Sequence, residues 1–213
     1  MELSNKFVIT INRELGSGGR TVGEKLAAKL DVPFYDKAHI VAVEEKYGLS
    51  VDEIERLKGK KRTWWTDFKR VIELNGGFAV SIYANLPDMT IPEKADSDSI
   101  FKTEQEILKG IADAESCVIA GRCGFYALKE HPNHLNILIQ SPLECRVERI
   151  MKKKGISAKE AEKIIADVDK MRENYVKRHT GTTRYDTRNY DLVISMKGKT
   201  EDQVVDLILK YIG

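Results

Sequence analysis

Apolar residues along this chain come in short runs, separated by longer stretches in which they recur every three or four positions. Residues 7–11 (Phe-Val-Ile-Thr-Ile) form an apolar run of the length expected for a buried parallel strand. After a glycine-rich turn, Val22, Leu26, Ala27 and Leu30 share one face of a helix. Pro33-Phe34-Tyr35 reads as a brief second strand ending at Asp36, and the helix behind it runs through Tyr47 to a stop at Gly48. Runs at 116–121 (SCVIAG), 135–140 (LNILIQ) and 191–196 (DLVISM) read as strands three to five. Ser141-Pro142 opens a helix that ends at 152–155, with Pro142 in its first turn. Ser157-x-x-Glu160 opens a long amphipathic helix. Residues 200–212 close the chain as a helix with Val204, Val205, Ile208 and Ile212 on one side.

Strands alternating with helices predict βαβ units and a parallel α/β sheet. More than a crossover helix separates the second strand from the third. That stretch carries a capping box at Ser50-x-x-Glu53, a break at Asn75-Gly76-Gly77, an acidic, proline-bearing loop at 86–99 and a helix from about 100 to 112. The expectation is one domain over 1–213, with a helical insertion at 50–113 and a second excursion at 155–190. Both excursions hang on loops where such sheets keep their ligands.

Composition narrows the class. With 213 residues, 42% hydrophobic and 32% charged, the chain is long and apolar enough for one well-filled α/β domain. A formal net charge of +2 argues against a global nucleic-acid or membrane field. No apolar run approaches the roughly 18–20 residues that span a bilayer. The first strand starts by about Lys6, too early for a leader. Cys117, Cys123 and Cys145 lack a C-x-x-C spacing and read as reduced, packed thiols. His39, His131, His134 and His179 show no metal-binding pattern, His131 and His134 flanking Pro132 in an expected loop. A cytoplasmic enzyme is the expectation.

The chemistry gathers at the first turn, Asn12-Arg13-Glu14-Leu15-Gly16-Ser17-Gly18-Gly19-Arg20-Thr21. Glycines between a strand and a helix leave backbone N–H groups free at the helix mouth, where the dipole favours anions. Gly16, Ser17, Gly18, Gly19, Arg20 and Thr21 are therefore candidates to cradle phosphate, Arg20 as the cation and Thr21 or Ser17 as a hydroxyl for a metal. The pattern G-x-x-x-x-G-K-[ST] fits in two registers, and neither supplies its lysine. One puts Arg20 in the lysine position; the other puts Gly19 there. A glycine pattern for dinucleotides fits less well, because Thr21 stands where its third glycine belongs.

Further along, Asp36 and Arg122 end the second and third strands and point at the same crevice. Asp36 could contact a substrate or cap the next helix, and Arg122 could meet an anionic substrate or a neighbouring carboxylate. Asp169, Arg172, Tyr175 and Arg178 recur every three residues, followed by Arg184 and Arg188; arginines on a flap suit phosphoryl transfer. Arg146 and Arg149 form another basic pair. The stretch Lys58-Gly59-Lys60-Lys61-Arg62-Thr63-Trp64-Trp65 reads as core packing, as a base-stacking lobe or, ranked last, as a single-strand nucleic-acid patch.

Three segments carry a resemblance to the cytidylate-kinase-like family of P-loop proteins. Residues 9–20 resemble its opening, including the missing lysine; 117–123 resemble its central strand and the GRD segment of cytidylate kinases, with Cys123 in the place of the aspartate; 169–181 with 189–194 resemble its lid and last strand. The resemblance implies a nucleoside monophosphate kinase fold, a five-stranded parallel sheet ordered 2-3-1-4-5, an acceptor-binding insertion and a lid. It implies ATP and Mg²⁺, with transfer of the γ-phosphoryl group to CMP or dCMP. Gly16 to Thr21 would then hold donor phosphates, Asp36 and Arg122 would face the acceptor, and Arg20, Arg172 and Arg178 would act on the transferring group. A kinase for another small acceptor, and a non-catalytic nucleotide-binding regulator, remain the alternatives. Small nucleotides are the expected partners.

Overall fold

A computed structural model of the protein describes residues 1–36 and 97–213. The expected helix ending at Tyr47, the Ser50–Glu53 box, the break at Asn75-Gly76-Gly77, the 58–65 stretch and most of the 50–113 insertion lie outside the described residues.

The apolar runs become strands β1 (Val8–Arg13), β2 (Phe34–Tyr35), β3 (Cys117–Ala120), β4 (His134–Gln140) and β5 (Leu192–Ser195). All pair in parallel, in the order β2-β3-β1-β4-β5. Strand β1 lies at the centre, with Ile9 opposite Val118 on one side and Leu135 on the other. Its alternation explains why the run is apolar throughout. Ile9 and Ile11 face a layer made with Val22 and Leu26 of α1 (Gly19–Leu30) and with Val204, Val205 and Ile208 of the C-terminal helix (Glu201–Ile212). Val8 faces the opposite layer, against Ile107, Leu108 and Ile111 of α2 (Ser97–Ala114). A parallel strand covered on both faces cannot alternate apolar with polar.

Helix α2 starts at Ser97, inside the stretch expected to be loop, with Asp98 in its first turn, where the helix dipole favours a negative charge. The single turn α3 (Gly124–Ala127) follows β3. Helix α4 (Leu143–Lys154) begins one residue after Pro142, which holds the N-cap position without a side-chain cap rather than lying in the first turn, and stops at left-handed Gly155. Helix α5 (Ala158–Thr180) starts with the expected capping box of Ser157 and Glu160. A 3₁₀ turn (Thr187–Asn189) precedes β5, and Thr200 with Gln203 caps the last helix, α6 (Glu201–Ile212). His134 is not in a loop. It opens β4, its Nε2 2.8 Å from Thr10 Oγ1, and burial lowers its pKa to about 4.

Candidate functional site

The turn from β1 to α1 is pinned from three sides. Glu14 N–H donates to Ile139 C=O of β4 at 3.2 Å. The Glu14 carboxylate accepts from Ser141 N–H at 3.0 Å, and Leu15 N–H donates to Asp169 Oδ1 of α5 at 3.0 Å. Gly16 and Gly18 take φ of +80° and +85°, which tips the peptide planes between them as only glycine does without strain. The buried Ser17 hydroxyl donates to Glu14 C=O at 2.9 Å and accepts from Gly19 N–H at 3.3 Å. Ser17 therefore braces the loop from inside. Among the described residues no partner takes the N–H of Gly16, Gly18, Arg20 or Thr21. Those donors stand at the N-terminus of a twelve-residue helix, with the exposed Thr21 beside them.

Arg20 does not point along this loop. Its Nε donates to Asp36 Oδ2 at 2.8 Å, Nη1 lies 2.8 Å from Glu24 Oε1, and the guanidinium rests 5.9 Å from the centre of the Phe34 ring. Arg20 and the buried Asp36 thus form one unit at the end of β2.

Arg13 takes the space that Arg20 leaves. A Cβ on Gly19 would sit 2.6 Å from Arg13 Cβ and 3.3 Å from its Cγ, and a Cβ on Gly121 would sit 2.1 Å from Arg13 Nη1. The side chain therefore runs from the end of β1, across Gly19, to the end of β3.

Beyond β3 the backbone turns left-handed at Gly121, Arg122 and Cys123, with φ of +87°, +52° and +54°. Two side-chain-bearing residues in that region cost about 1–2 kcal/mol each. Tertiary contacts hold them there. The Arg122 guanidinium pairs with Glu104 of α2 and lies 5.2 Å from the Tyr175 ring centre, while the Tyr175 hydroxyl donates to the same carboxylate. Glu104 is fully buried and the Arg122 side chain 14% exposed. Of the two readings for Arg122, the neighbouring carboxylate is present. Cys123 packs among Phe101, Phe125 and Val176, and burial pushes its thiol up to about 12, against the pull of Arg122 and Arg184. A neutral thiol thus stands at the GRD aspartate's place.

Helix α5 and the segment after it reach the loop through charged side chains. Arg146 Nη1 donates to Asp169 Oδ2 at 2.5 Å, and its Nε lies 3.8 Å from Glu14 Oε2. Arg172 Nη1 donates to Arg13 C=O at 3.4 Å, and Arg184 donates to the same carbonyl and to Asn12 Oδ1. Arg184 is completely buried, its Nη1 3.7 Å from Asp169. The arrangement draws Arg172, Arg146 and Arg184 together around the loop. Arg178 is exposed on α5. Arg184 lies past the helix end at Gly181, so helical spacing carried no information about it.

The sheet order and the turn at the mouth of α1 define the P-loop kinase class. A shikimate kinase from Bacteroides thetaiotaomicron has this architecture (13% identity, 97% of this chain and 98% of that one, TM-score 0.50). An uncharacterized protein from Eubacterium ventriosum is more similar, at 26% identity over 98% of both chains and a TM-score of 0.67. Residues 8–198 match the cytidylate kinase-like family, and the chain belongs to it. A cytidylate kinase from Methanopyrus kandleri is 24% identical over 96% of this chain and 92% of its own. A uronate isomerase from Corynebacterium glutamicum is 33% identical over 54% of this chain, which spans only 22% of that protein's length. Family and fold together support a phosphotransferase of the nucleotide-kinase kind.

Proposed function

We propose that the protein moves the γ-phosphoryl group of ATP to a pyrimidine nucleoside monophosphate, CMP or dCMP. The observation that carries this reading is the group of unpartnered N–H donors at the start of α1, beneath a flap that brings Arg172 to the loop. Gly16, Gly18, Arg20 and Thr21 receive the donor phosphates on their open N–H groups, Gly19 gives the phosphates room to approach, and Ser17 keeps the loop in shape. Asp36, paired with Arg20, and Arg122, paired with Glu104, face the acceptor from the ends of β2 and β3. Arg172 and Arg178 act from the flap, where positive charge meets the spreading charge of the transferring group.

Thr21 offers a magnesium ion one hydroxyl, and among the described residues no group of three His, Cys, Asp or Glu could hold a metal. The ion's preference for phosphate oxygens and retained water fits so sparse a protein contribution. When bound with ATP it neutralises phosphate charge. The acceptor phosphate attacks in line, and this chain contributes position and positive charge.

ADP release, measured over a panel of nucleoside monophosphates and nucleosides, tests the reading. CMP and dCMP should give the highest kcat/KM. Turnover confined to another acceptor would replace the acceptor assignment. Tight ATP binding with no turnover on the panel would support a nucleotide-binding regulator, a second reading favoured by the commitment of Arg20 to Asp36 and Glu24.

A further inference from the structure

We infer that Arg13 supplies, from the end of β1, the positive charge that a phosphate loop ordinarily draws from a lysine at position 19. The inference rests on the reading of this turn as a seat for the donor's phosphates.

The two ends of the motif have exchanged size. With Gly18 as the motif's second glycine, its lysine falls on Gly19 and its first glycine falls on Arg13. A large cation stands where the pattern has a glycine, and a glycine stands where it has the cation. The geometry shows why the exchange works as a unit. The Arg13 stem crosses the Cα of Gly19 so closely that any side chain there would meet it at 2.6 Å. Its guanidinium ends on Gly121, where a Cβ would meet Nη1 at 2.1 Å. Two glycines on different elements thus clear one path for one side chain.

That path starts against Gly19, which lies in the chain between the open N–H groups of Gly18 and Arg20, and ends at Gly121 just past β3. The strand end that launches it is fixed, because Arg172 and Arg184 both donate to the Arg13 carbonyl. An arginine in this role offers a planar fork that can engage two phosphate oxygens at once, whereas lysine offers a point charge.

Calorimetric titration of the full chain with Mg²⁺–ATP and with Mg²⁺–ADP tests the assignment. Arg13→Ala should weaken ATP by about 10- to 100-fold, the range for losing charged hydrogen bonds to phosphate, and ADP by clearly less. Arg13→Lys should retain more of the ATP-to-ADP preference than Arg13→Gln, which guards against a folding defect in the alanine variant. Gly19→Lys in the Arg13→Ala background should recover ATP affinity, since the path is then clear for the ordinary arrangement. The same Gly19→Lys change with Arg13 present should not. Equal weakening of ATP and ADP in all Arg13 variants, or an unchanged preference, would make Arg13 a prop for the loop and overturn the inference. If the wild-type chain binds neither nucleotide, the phosphate-seat reading itself fails and the role of Arg13 with it.

Discussion

Replacing Glu104 by glutamine removes one charge from the interior and changes almost no volume. Glu104 is fully exposed to protein and not at all to water, and it answers both the Arg122 guanidinium and the Tyr175 hydroxyl. Arg122, with a side chain only 14% exposed, would keep its charge and lose its anion. Removing one member of a buried ion pair costs about 3–5 kcal/mol. The amide oxygen can still accept one hydrogen bond, so the lower end, about 3 kcal/mol, is the expected loss. For a chain of this length about 2–4 °C of Tm follows each kcal/mol, which places the drop near 6–12 °C. Thermal unfolding followed by circular dichroism measures it. Two companions make the test specific. Glu104→Gln/Arg122→Gln should recover much of the loss, because it removes both charges together. Adding inorganic phosphate should raise the Tm of Glu104→Gln more than that of wild type, since an orphaned guanidinium at the crevice takes an anion. A Glu104→Gln variant melting within about 2 °C of wild type, under half the expected shift per the same scaling, would refute the claim that this pair holds the left-handed turn after β3.

Arg172→Ala should lower kcat by about 10- to 100-fold with a smaller change in nucleotide KM, since its guanidinium reaches the loop from the flap; steady-state kinetics separate the two. His134 should make stability depend on pH. Its folded pKa, lowered by burial from 6.5 to about 4, leaves the unfolded chain binding more protons between those values, so stability is full above the upper value and falls as pH drops through the window. The loss approaches about 3 kcal/mol at most, and urea titrations at several pH values should show it shrinking in His134→Gln. Ser157→Ala should cost about 1 kcal/mol by removing a reciprocal cap at the start of α5, read as a Tm decrease of about 2–4 °C.

The sheet was legible because its central strands are parallel and covered on both faces. Burial on both sides makes β1, β3 and β4 nearly continuous apolar runs, whereas β5, at the edge, buries Ile194 and leaves Val193 exposed, and is apolar all the same. Their order came from the resemblance and agrees with the pairing found. What periodicity cannot register is a single helical turn, and α3 went unread for that reason. Ser97 was read as loop because the prolines and acidic residues upstream of it carry the stronger local signal. The cap at Thr200 and Gln203 went unnamed in the reading of 200–212, although T-x-x-Q ahead of an apolar helix follows the capping-box pattern.

The site was half legible, and the physical boundary between its halves is the Cβ atom. Backbone donors follow from glycine and helix start, so the loop from Gly16 to Thr21 could be placed from the sequence. Side-chain direction could not. Arg20 and Arg13 lie seven residues apart with the same chemistry, and the choice between them is made by distant partners. Asp36 and Glu24 draw Arg20 toward β2, whereas Gly121, far along the chain, opens the lane that Arg13 occupies. A lane made of absent side chains leaves no residue to recognise. Its trace in the sequence is a pair of exceptions, arginine where the motif wants glycine and glycine where it wants lysine. Each alone reads as a degenerate loop, and only the path of the Arg13 side chain over Gly19 joins them into one substitution. The same logic separates Arg178 from Arg184. Regular spacing favours the residue on the helix, but a fully buried guanidinium against the loop belongs to the residue beyond its C-terminus, delivered there by the turn at Gly181.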